Sequence, residues 1–188
     1  MIKLWKNIRI FLWMTVLTGL FYPLMITGIA QLAMKHQADG ALLQSKGKII
    51  GAELIGQKFE SVKYFWGRPS AIEYNPLPSG GSNLGPTSLA LKKLVAERKA
   101  RILQAHSDAK TTVPSELLFA SGSGIDPDIS IKAAYFQMER IAKERGIDEK
   151  EISALIDRMV IGRGLGFIGV PRVNVLRLNL ALDTLKQP

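Results

Sequence analysis

The stretch IFLWMTVLTGLFYPLMITGIAQLAM, residues 10–34, contains no Asp, Glu, Lys or Arg. As an α-helix with a rise of 1.5 Å per residue it would be about 37 Å long, enough to cross a hydrocarbon core of about 30 Å. Arg9 and Lys35 bound the stretch. Pro23 interrupts it, which a membrane helix tolerates because local backbone adjustment can satisfy the freed carbonyl. These residues predict one transmembrane helix near the N-terminus.

The residues before this helix leave one alternative open and indicate its direction. Lys3, Lys6 and Arg9 form a basic segment such as precedes a cleaved secretory signal. The apolar run is about twice the usual length of a signal core, and no small-x-small cleavage site follows it, so an anchor is favoured. Residues 1–9 carry no acid and their cations are denser than the lysines that follow the helix, which predicts a cytoplasmic N-terminus. The rest of the chain would then lie outside the cytoplasm.

Composition excludes several classes of function. The chain has no cysteine, which excludes a disulfide framework, a thiol nucleophile and a cysteine metal site. Its net charge is +9, but the cations are spread along the chain without a dense basic run interleaved with aromatic residues. We interpret them as a solvated surface with some attraction to anionic lipid, and we expect no nucleic-acid binding.

Residues 35–48 are polar and predict a linker or a frayed end of the helix. One compact α+β domain is predicted over 49–188. Three to four helices with a few short strands and long ordered loops are expected there. Residues 49–66 predict two or three short strands with turns. The proline- and glycine-rich stretch 68–87 predicts a sizeable ordered loop, and residues 107–112 a polar break.

Capping residues and apolar spacing predict the helices of this domain. Thr87 or Ser88 can cap a helix with Leu91, Leu94, Val95, Arg98 and Ile102 on one face. A second helix is predicted over 130–145, ended by Gly146, with Ile131, Ala134, Tyr135, Met138, Ile141 and Ala142 inward. Asp148 and Glu151 form a capping box for a third helix to about residue 160. A short strand over 173–175 and a last helix over 176–185 complete the prediction.

The search for catalytic motifs is mostly negative. The only histidines are His36, beside the membrane segment, and His106, at the end of a helix, which argues against a histidine triad or metal cluster. Residues 164–169 match G-x-G-x-x-G, but a dinucleotide fingerprint follows a strand and opens a helix. Here a helix precedes the motif and Pro171 follows it, so a flexible turn is the prediction. We do not assign acid–base catalysis to Asp126 and Asp128, because side chains two residues apart point in different directions.

Two small-residue runs remain as candidate contacts. Ser79, Gly80, Gly81, Ser82 and Asn83 expose backbone N–H groups, and such runs can hold anions. A tight loop packed on a partner is the favoured alternative for them. Residues 121–127 offer a choice between an anion site and a helix entry capped by Asp126, Asp128 or Ser130, and the helix entry is favoured.

Taken in order, several segments resemble one protein family. They are GIAQLAMKHQ (28–37), LIGQKF (54–59), YFWGRPSA (64–71), YNP (74–76), SGGSNL (79–84), VPSEL (113–117), ASGSGID (120–126), PRVNV (171–175) and LNLALD (178–183). The series resembles the C chain, or KdpC family, of the bacterial Kdp potassium-transporting ATPase and covers nearly the whole chain. No single motif decides it; the order of the segments does.

The resemblance implies an accessory, non-catalytic subunit of a high-affinity ATP-driven potassium uptake complex in the bacterial inner membrane. Its implied partners are a K⁺-conducting A chain, an ATP-hydrolysing B chain and a small F chain. The family is described as needed for assembly and as a catalytic chaperone that raises the ATP affinity of the B chain. The chain would have no cofactor of its own, and ATP would be bound through the B chain. The absence of a D-K-T-G phosphorylation motif agrees with a supporting role.

The predicted orientation conflicts with direct contact to ATP. A domain outside the cytoplasm would have to act on the B chain through the A chain and the membrane helix. In a cytoplasmic domain, residues 79–83 would be a candidate nucleotide contact. Gly19 and Gly28 are candidate helix-packing positions, since small residues let helices approach closely in lipid. The alternative from another class is a membrane-anchored periplasmic solute-binding protein or hydrolase.

Overall fold

The structure, a computed structural model, describes residues 2–45, 47–106 and 111–185. The chain divides into two compact units, residues 1–50 and 51–188. The strand Lys48–Ala52 crosses the boundary between them. The predicted polar break at 107–112 falls largely on residues 107–110, outside the described residues.

The first unit begins with a long helix that is widened at one point. Helix α1, Ile2–Val16, continues through a π-helical turn, Leu17–Phe21, into helix α2, Tyr22–Ala33. Pro23 explains the π turn, because it has no N–H to donate and its ring would collide with the carbonyl one turn earlier. The helix instead takes up one extra residue, and Tyr22 N–H donates to Leu17 O.

Residues 3–33 of this helix are long and apolar enough to cross a membrane, and the described residues contain one such helix. Its large apolar side chains, Trp13 and Phe21 among them, are exposed. It starts earlier than the predicted residue 10 because the basic flank is also helical. It ends at Ala33, where Met34 leaves the helical region with φ −142°.

The stretch 35–48, predicted as a linker or a frayed end of the helix, contains regular structure. Those residues form a short helix α3, Lys35–Ala38, then strand β1, Leu42–Ser45, and the start of strand β2, Lys48–Ala52, which pair as a two-stranded sheet. The apolar pairs in both strands favour pairing, and Gly47 at φ +75° supplies the left-handed turn residue. The strand predicted at Ile49-Ile50 is confirmed as part of β2. The further strands predicted between residues 53 and 66 are wrong, since that stretch is irregular.

The second unit mixes helices with a small sheet, as predicted. Its described elements are α4, Leu89–Ala105; a 3₁₀ turn, Ser115–Leu117; β3, Asp128–Ile129; α5, Ile131–Arg145; α6, Glu149–Met159; β4, Val160–Ile161; β5, Arg172–Asn174; and α7, Val175–Thr184. The ordered loop predicted over 68–87 is confirmed, because those residues adopt no helix or strand.

Polar caps start the described α-helices of this unit close to the predicted positions. The side chains of Ser88, Ser130, Asp148 and Asn174 each accept a hydrogen bond from a backbone N–H of the first turn. Gly146 ends α5 in the left-handed conformation at φ +65°. The helix starts and this stop are confirmed.

The core lies where helices α5, α6 and α7 pack on an antiparallel sheet of order β3-β5-β4. In the central strand, Val173 is opposite both Ile129 of β3 and Val160 of β4. Val173, Ile129, Ile152 and Leu178 are buried to within 1% exposure, as core side chains at these alternating and helical spacings should be. Helices α5 and α7 also carry buried polar side chains, and the core fixes where these point.

Candidate functional site

Residues 59–66, which we call the aromatic segment, are attached to the core by two side-chain amides. Asn179 of α7 accepts from Phe65 N (2.8 Å) and donates to Phe65 O (3.0 Å). Gln137 of α5 does the same for Trp66, at 2.8 and 3.0 Å. Both amides are at most 2% exposed. Each amide therefore makes the two backbone hydrogen bonds that a neighbouring strand would otherwise make. The N–H and C=O groups of Phe65 and Trp66 are satisfied without a sheet.

A buried arginine completes the attachment. The Arg140 guanidinium donates to the backbone oxygens of Val62 and Tyr64 and to Gln137 Oε1, and its Nε donates to His106 Nε2 at 3.0 Å. Its carbon also lies 4.3 Å from the centre of the Trp66 ring. Burial lowers the pKa of Arg140 to about 10. The arginine thus satisfies four acceptors at the cost of burying one charge.

His106 is held as a neutral ring. Its Nδ1 lies 2.8 Å from Ile102 O, and since Nε2 accepts from Arg140, Nδ1 must carry the proton. The pKa of His106 is lowered, chiefly by burial, while the bond to Ile102 opposes that shift and the Arg140 charge adds to it. Protonation of Nε2 would remove an acceptor and place two cations side by side.

We expect the contribution of His106 to the free energy of unfolding to fall when the pH is lowered from 7.5 to 5. Unfolded His106 takes up a proton near its ordinary pKa of 6.5, whereas the folded ring does so only at lower pH. The unfolded state then binds more protons, so acid favours unfolding. Urea titrations of the full chain in detergent at several pH values measure this. The His106→Gln variant should lose part of the pH dependence; an unchanged slope would contradict the assignment.

Beside the aromatic segment lies an open cleft of about 280 Å³. Its lining includes Trp66, Tyr74, Arg98 and Arg101, with Lys58, Glu60 and Glu73 also present. The Arg101 guanidinium carbon lies 5.0 Å from the Trp66 ring centre, and Arg98 donates to Leu118 O at 2.9 Å. Burial raises the pKa of Tyr74 and lowers that of Arg98. Arginine beside an aromatic ring favours planar or anionic groups, which makes this cleft a candidate binding site.

The candidate loop 79–83 packs on the run 121–124 of its own chain. Ser79 Oγ and Gly80 N both donate to Ser123 O, at 2.9 and 3.0 Å. Gly81 lies so close to Gly122 that a Cβ would be 3.1 Å from its carbonyl oxygen. Two donors of the proposed anion site are therefore used internally, while Ser82 and Asn83 are exposed. Binding at residues 79–83 remains a prediction.

The carboxylates near residue 126 are engaged in structural pairs. Asp126 binds Arg68 at 2.9 Å and Asp128 binds Arg172 at 2.7 Å. Burial raises the pKa of Asp128 and outweighs the opposing effect of Arg172. Glu116 accepts from the N–H and hydroxyl of Ser130, the residue that caps α5. The helix entry predicted over 121–127 matches this arrangement, with Ser130 as the capping residue. Within 2–45, 47–106 and 111–185, no three His, Asp or Glu residues form a candidate metal site.

The G-x-G-x-x-G stretch is a tight turn between β4 and β5, in agreement with the predicted turn. Gly164 and Ile168 exchange two backbone hydrogen bonds of 2.8 Å. Strand β5 follows the turn, so no helix N-terminus is available for a pyrophosphate. In the first unit, Gly19 lies in the π turn and Gly28 in α2, and a Cβ at either would meet nothing within 4 Å.

The buried polar residues were missing from the sequence-based site. Gln137 is three residues from Ala134, and Asn179 is three residues from Leu182, both of which are fully buried. Helical spacing therefore places these amides on the inward faces. A polar residue at an inward position is the signal that could have found them. Their partners are 71 and 114 residues away, which spacing does not indicate.

Comparison with known proteins identifies the family. The family model described as the K⁺-transporting ATPase c chain, KdpC, matches residues 4–184. The chain belongs to the KdpC family. It is 48% identical over 182 residues to the potassium-transporting ATPase KdpC subunit of Paraburkholderia phytofirmans, covering 95% of both chains.

Two further KdpC subunits are similarly related. The Janthinobacterium protein is 49% identical over 179 residues, which cover 93% of this chain and 94% of that one. The Serratia proteamaculans protein is 47% identical over 176 residues, with coverage of 92% of this chain and 93% of that one. The predicted family and its association with potassium transport are confirmed. The alternative of a solute-binding protein or hydrolase is not supported.

Proposed function

We propose that this chain is the accessory, non-catalytic subunit of an ATP-driven potassium uptake complex in the bacterial inner membrane. The observation that carries the proposal is the match to the KdpC family from residue 4 to residue 184, which includes both the apolar helix and the second unit. The helix over 3–33 has the length of a single membrane span and leaves its apolar side chains exposed. It anchors the chain.

Three of the side chains considered above for chemistry are held in structural contacts, which supports a non-catalytic role. Both ring nitrogens of His106 are hydrogen-bonded, and Asp126 and Asp128 are paired with arginines. None of these three pairs joins a nucleophile to a base that could activate it. The chain itself needs no cofactor, and ATP is hydrolysed by the B chain.

The second unit lies outside the cytoplasm in this proposal, because Lys3, Lys6 and Arg9 keep the N-terminus inside. Any effect on ATP affinity then passes through the A chain and the membrane helix as a coupling between two states. A C-terminal reporter active only in the periplasm tests the orientation. An inactive reporter on well-expressed, assembled protein would rule it out and would return residues 79–83 to consideration as a nucleotide contact.

The partners are the K⁺-conducting A chain, the ATP-hydrolysing B chain and the small F chain. Purification of the tagged full chain from mild detergent, followed by identification of the bound proteins, tests this set. We expect a large polytopic membrane protein and a P-type ATPase in the eluate. Recovery of the tagged chain alone would overturn the proposed function.

Gly19 and Gly28 provide a prediction about the membrane interface. Each has open space where a Cβ would lie, so Gly19→Leu and Gly28→Leu leave the helix of this chain intact. In lipid, small residues allow close approach of a partner helix, and we expect the double variant to recover the partner chains about tenfold less well, a loss of roughly 1.4 kcal/mol. The control is Ala30→Leu on the same helix. Equal recovery by both would count against an interface at these glycines.

A further inference from the structure

The turn between β4 and β5, residues 162–170, is the most apolar exposed part of the second unit. We call it the apolar turn. Leu165 is 84% exposed, Phe167 72%, Ile168 55% and Val170 69%. Elsewhere in this unit, comparably exposed aliphatic residues such as Leu77 and Leu89 stand far apart in the sequence. Clustered exposure of this kind marks an interaction site, whereas singly exposed leucines are ordinary on a protein surface.

Backbone hydrogen bonds and left-handed residues define the conformation of the apolar turn. Two hydrogen bonds of 2.8 Å join Gly164 and Ile168, and Gly166 N and Phe167 N donate to the carbonyls of Arg163 and Gly164. The backbone is left-handed at Leu165 (φ +51°), Gly166 (φ +84°) and Gly169 (φ +84°). A leucine in that conformation is unfavourable. The fold therefore holds Leu165 in a strained conformation while its side chain remains in water.

The sequence that carries the turn is basic. The sequence has no Asp or Glu between Asp157 and Asp183. Arg158 and Arg163 are exposed on either side of β4, whereas Arg172 on β5 is paired with Asp128. A surface that binds this turn should therefore offer an apolar hollow with carboxylates at its rim.

We propose that the apolar turn docks into such an acid-rimmed apolar hollow on another subunit of the potassium pump. This rests on the proposed function, which makes the chain part of a multi-subunit complex. A protein partner is favoured over lipid because the turn has one defined shape. Hydrogen bonds and left-handed residues fix the directions of Leu165 and Phe167, and fixed directions matter for filling a hollow, while insertion in lipid does not require them.

The first experiment compares matched leucines in the full, tagged chain. Asparagine tolerates the left-handed conformation better than leucine, so Leu165→Asn should keep the turn folded while removing the apolar contact. Leu77→Asn is the control, since Leu77 is 81% exposed. We expect Leu165→Asn to lower recovery of the partner chains at least fivefold, with an unchanged or raised unfolding temperature, and Leu77→Asn to leave recovery unchanged.

The outcomes separate this inference from the proposed function. If the unmodified chain recovers no partner, the proposed function fails; if it recovers them and Leu165→Asn does so equally well, the docking proposal is wrong. The second experiment uses the absence of cysteine, which allows Phe167→Cys to be labelled at one site with a benzophenone. Illumination of the assembled complex should cross-link this chain to another protein chain. Cross-links confined to lipid, or none, would overturn the proposal.

Discussion

Replacement of Arg140 by methionine is expected to lower the free energy of unfolding of the second unit by about 3 kcal/mol. Methionine keeps the apolar stem but leaves the oxygens of Val62 and Tyr64 and the Nε2 of His106 without the donor that Arg140 supplies. Gln137 Oε1 loses one of its two donors and keeps Trp66 N. Relief from burying a charge offsets only part of that loss, because each orphaned buried acceptor costs about 1 kcal/mol or more. The aromatic segment should detach first.

The measurement is urea unfolding of the full chain in detergent, monitored by tryptophan fluorescence. The chain has three tryptophans, and replacing Trp5 and Trp13 by phenylalanine leaves Trp66, which lies under Arg140, as the reporter. Arg140→Lys, which keeps the charge without the planar fork, should lose an intermediate amount. Arg158→Met, at an exposed position on α6, is the matched control and should change stability by less than about 0.5 kcal/mol. An equal effect at both arginines would refute the role of Arg140.

Helix positions could be predicted from the sequence because their signals are local. Ser88 and Ser130 lie beside the first turns they cap, and Gly146 lies beside the turn it ends. The N-terminal helix could be predicted equally well, since a run of twenty-five uncharged positions is the length and composition of a membrane span. The π turn at Pro23 was not predicted, because which of several adjustments a proline causes depends on the surrounding backbone.

The aromatic segment could not be predicted, because its partners are distant. Its aromatic composition favours a strand, yet Phe65 and Trp66 pair with amides on α5 and α7. Tertiary contacts override strand propensity here. The hairpin that begins within residues 35–48 could not be predicted for a different reason: the composition of a short hairpin with polar edges differs little from that of a linker.

The apolar turn illustrates how much a motif indicates. G-x-G-x-x-G correctly suggested glycine-dependent backbone geometry, and Gly166 and Gly169 are left-handed. The motif does not predict that Leu165 and Phe167 are exposed, because their exposure depends on the strands that flank the turn. The inferred function of the turn therefore arises from its side chains, while the glycines give it shape.

Gly124→Ala is the second change expected to have a large effect, because it attacks the contact that holds the candidate loop 79–83. Gly124 has φ +72°, and an added Cβ would lie 2.7 Å from Gly80 O and 2.5 Å from Ile72 Cγ1. Strain from the left-handed alanine and overlap with backbone should together cost about 3 kcal/mol. Urea unfolding with Trp66 as reporter measures the loss.

Gly122→Ala is the matched control two residues away, since Gly122 is exposed and a Cβ there meets nothing within 4 Å. It should change stability by less than about 0.5 kcal/mol. Gly124→Ala also displaces residues 79–83 from Ser123, so potassium uptake in cells should fall further than the amount of assembled protein if this loop contacts a partner. Uptake that follows protein amount alone would leave the loop with a structural role, and equal stability of the two variants would mean that the 79–83 and 121–124 runs do not pack together.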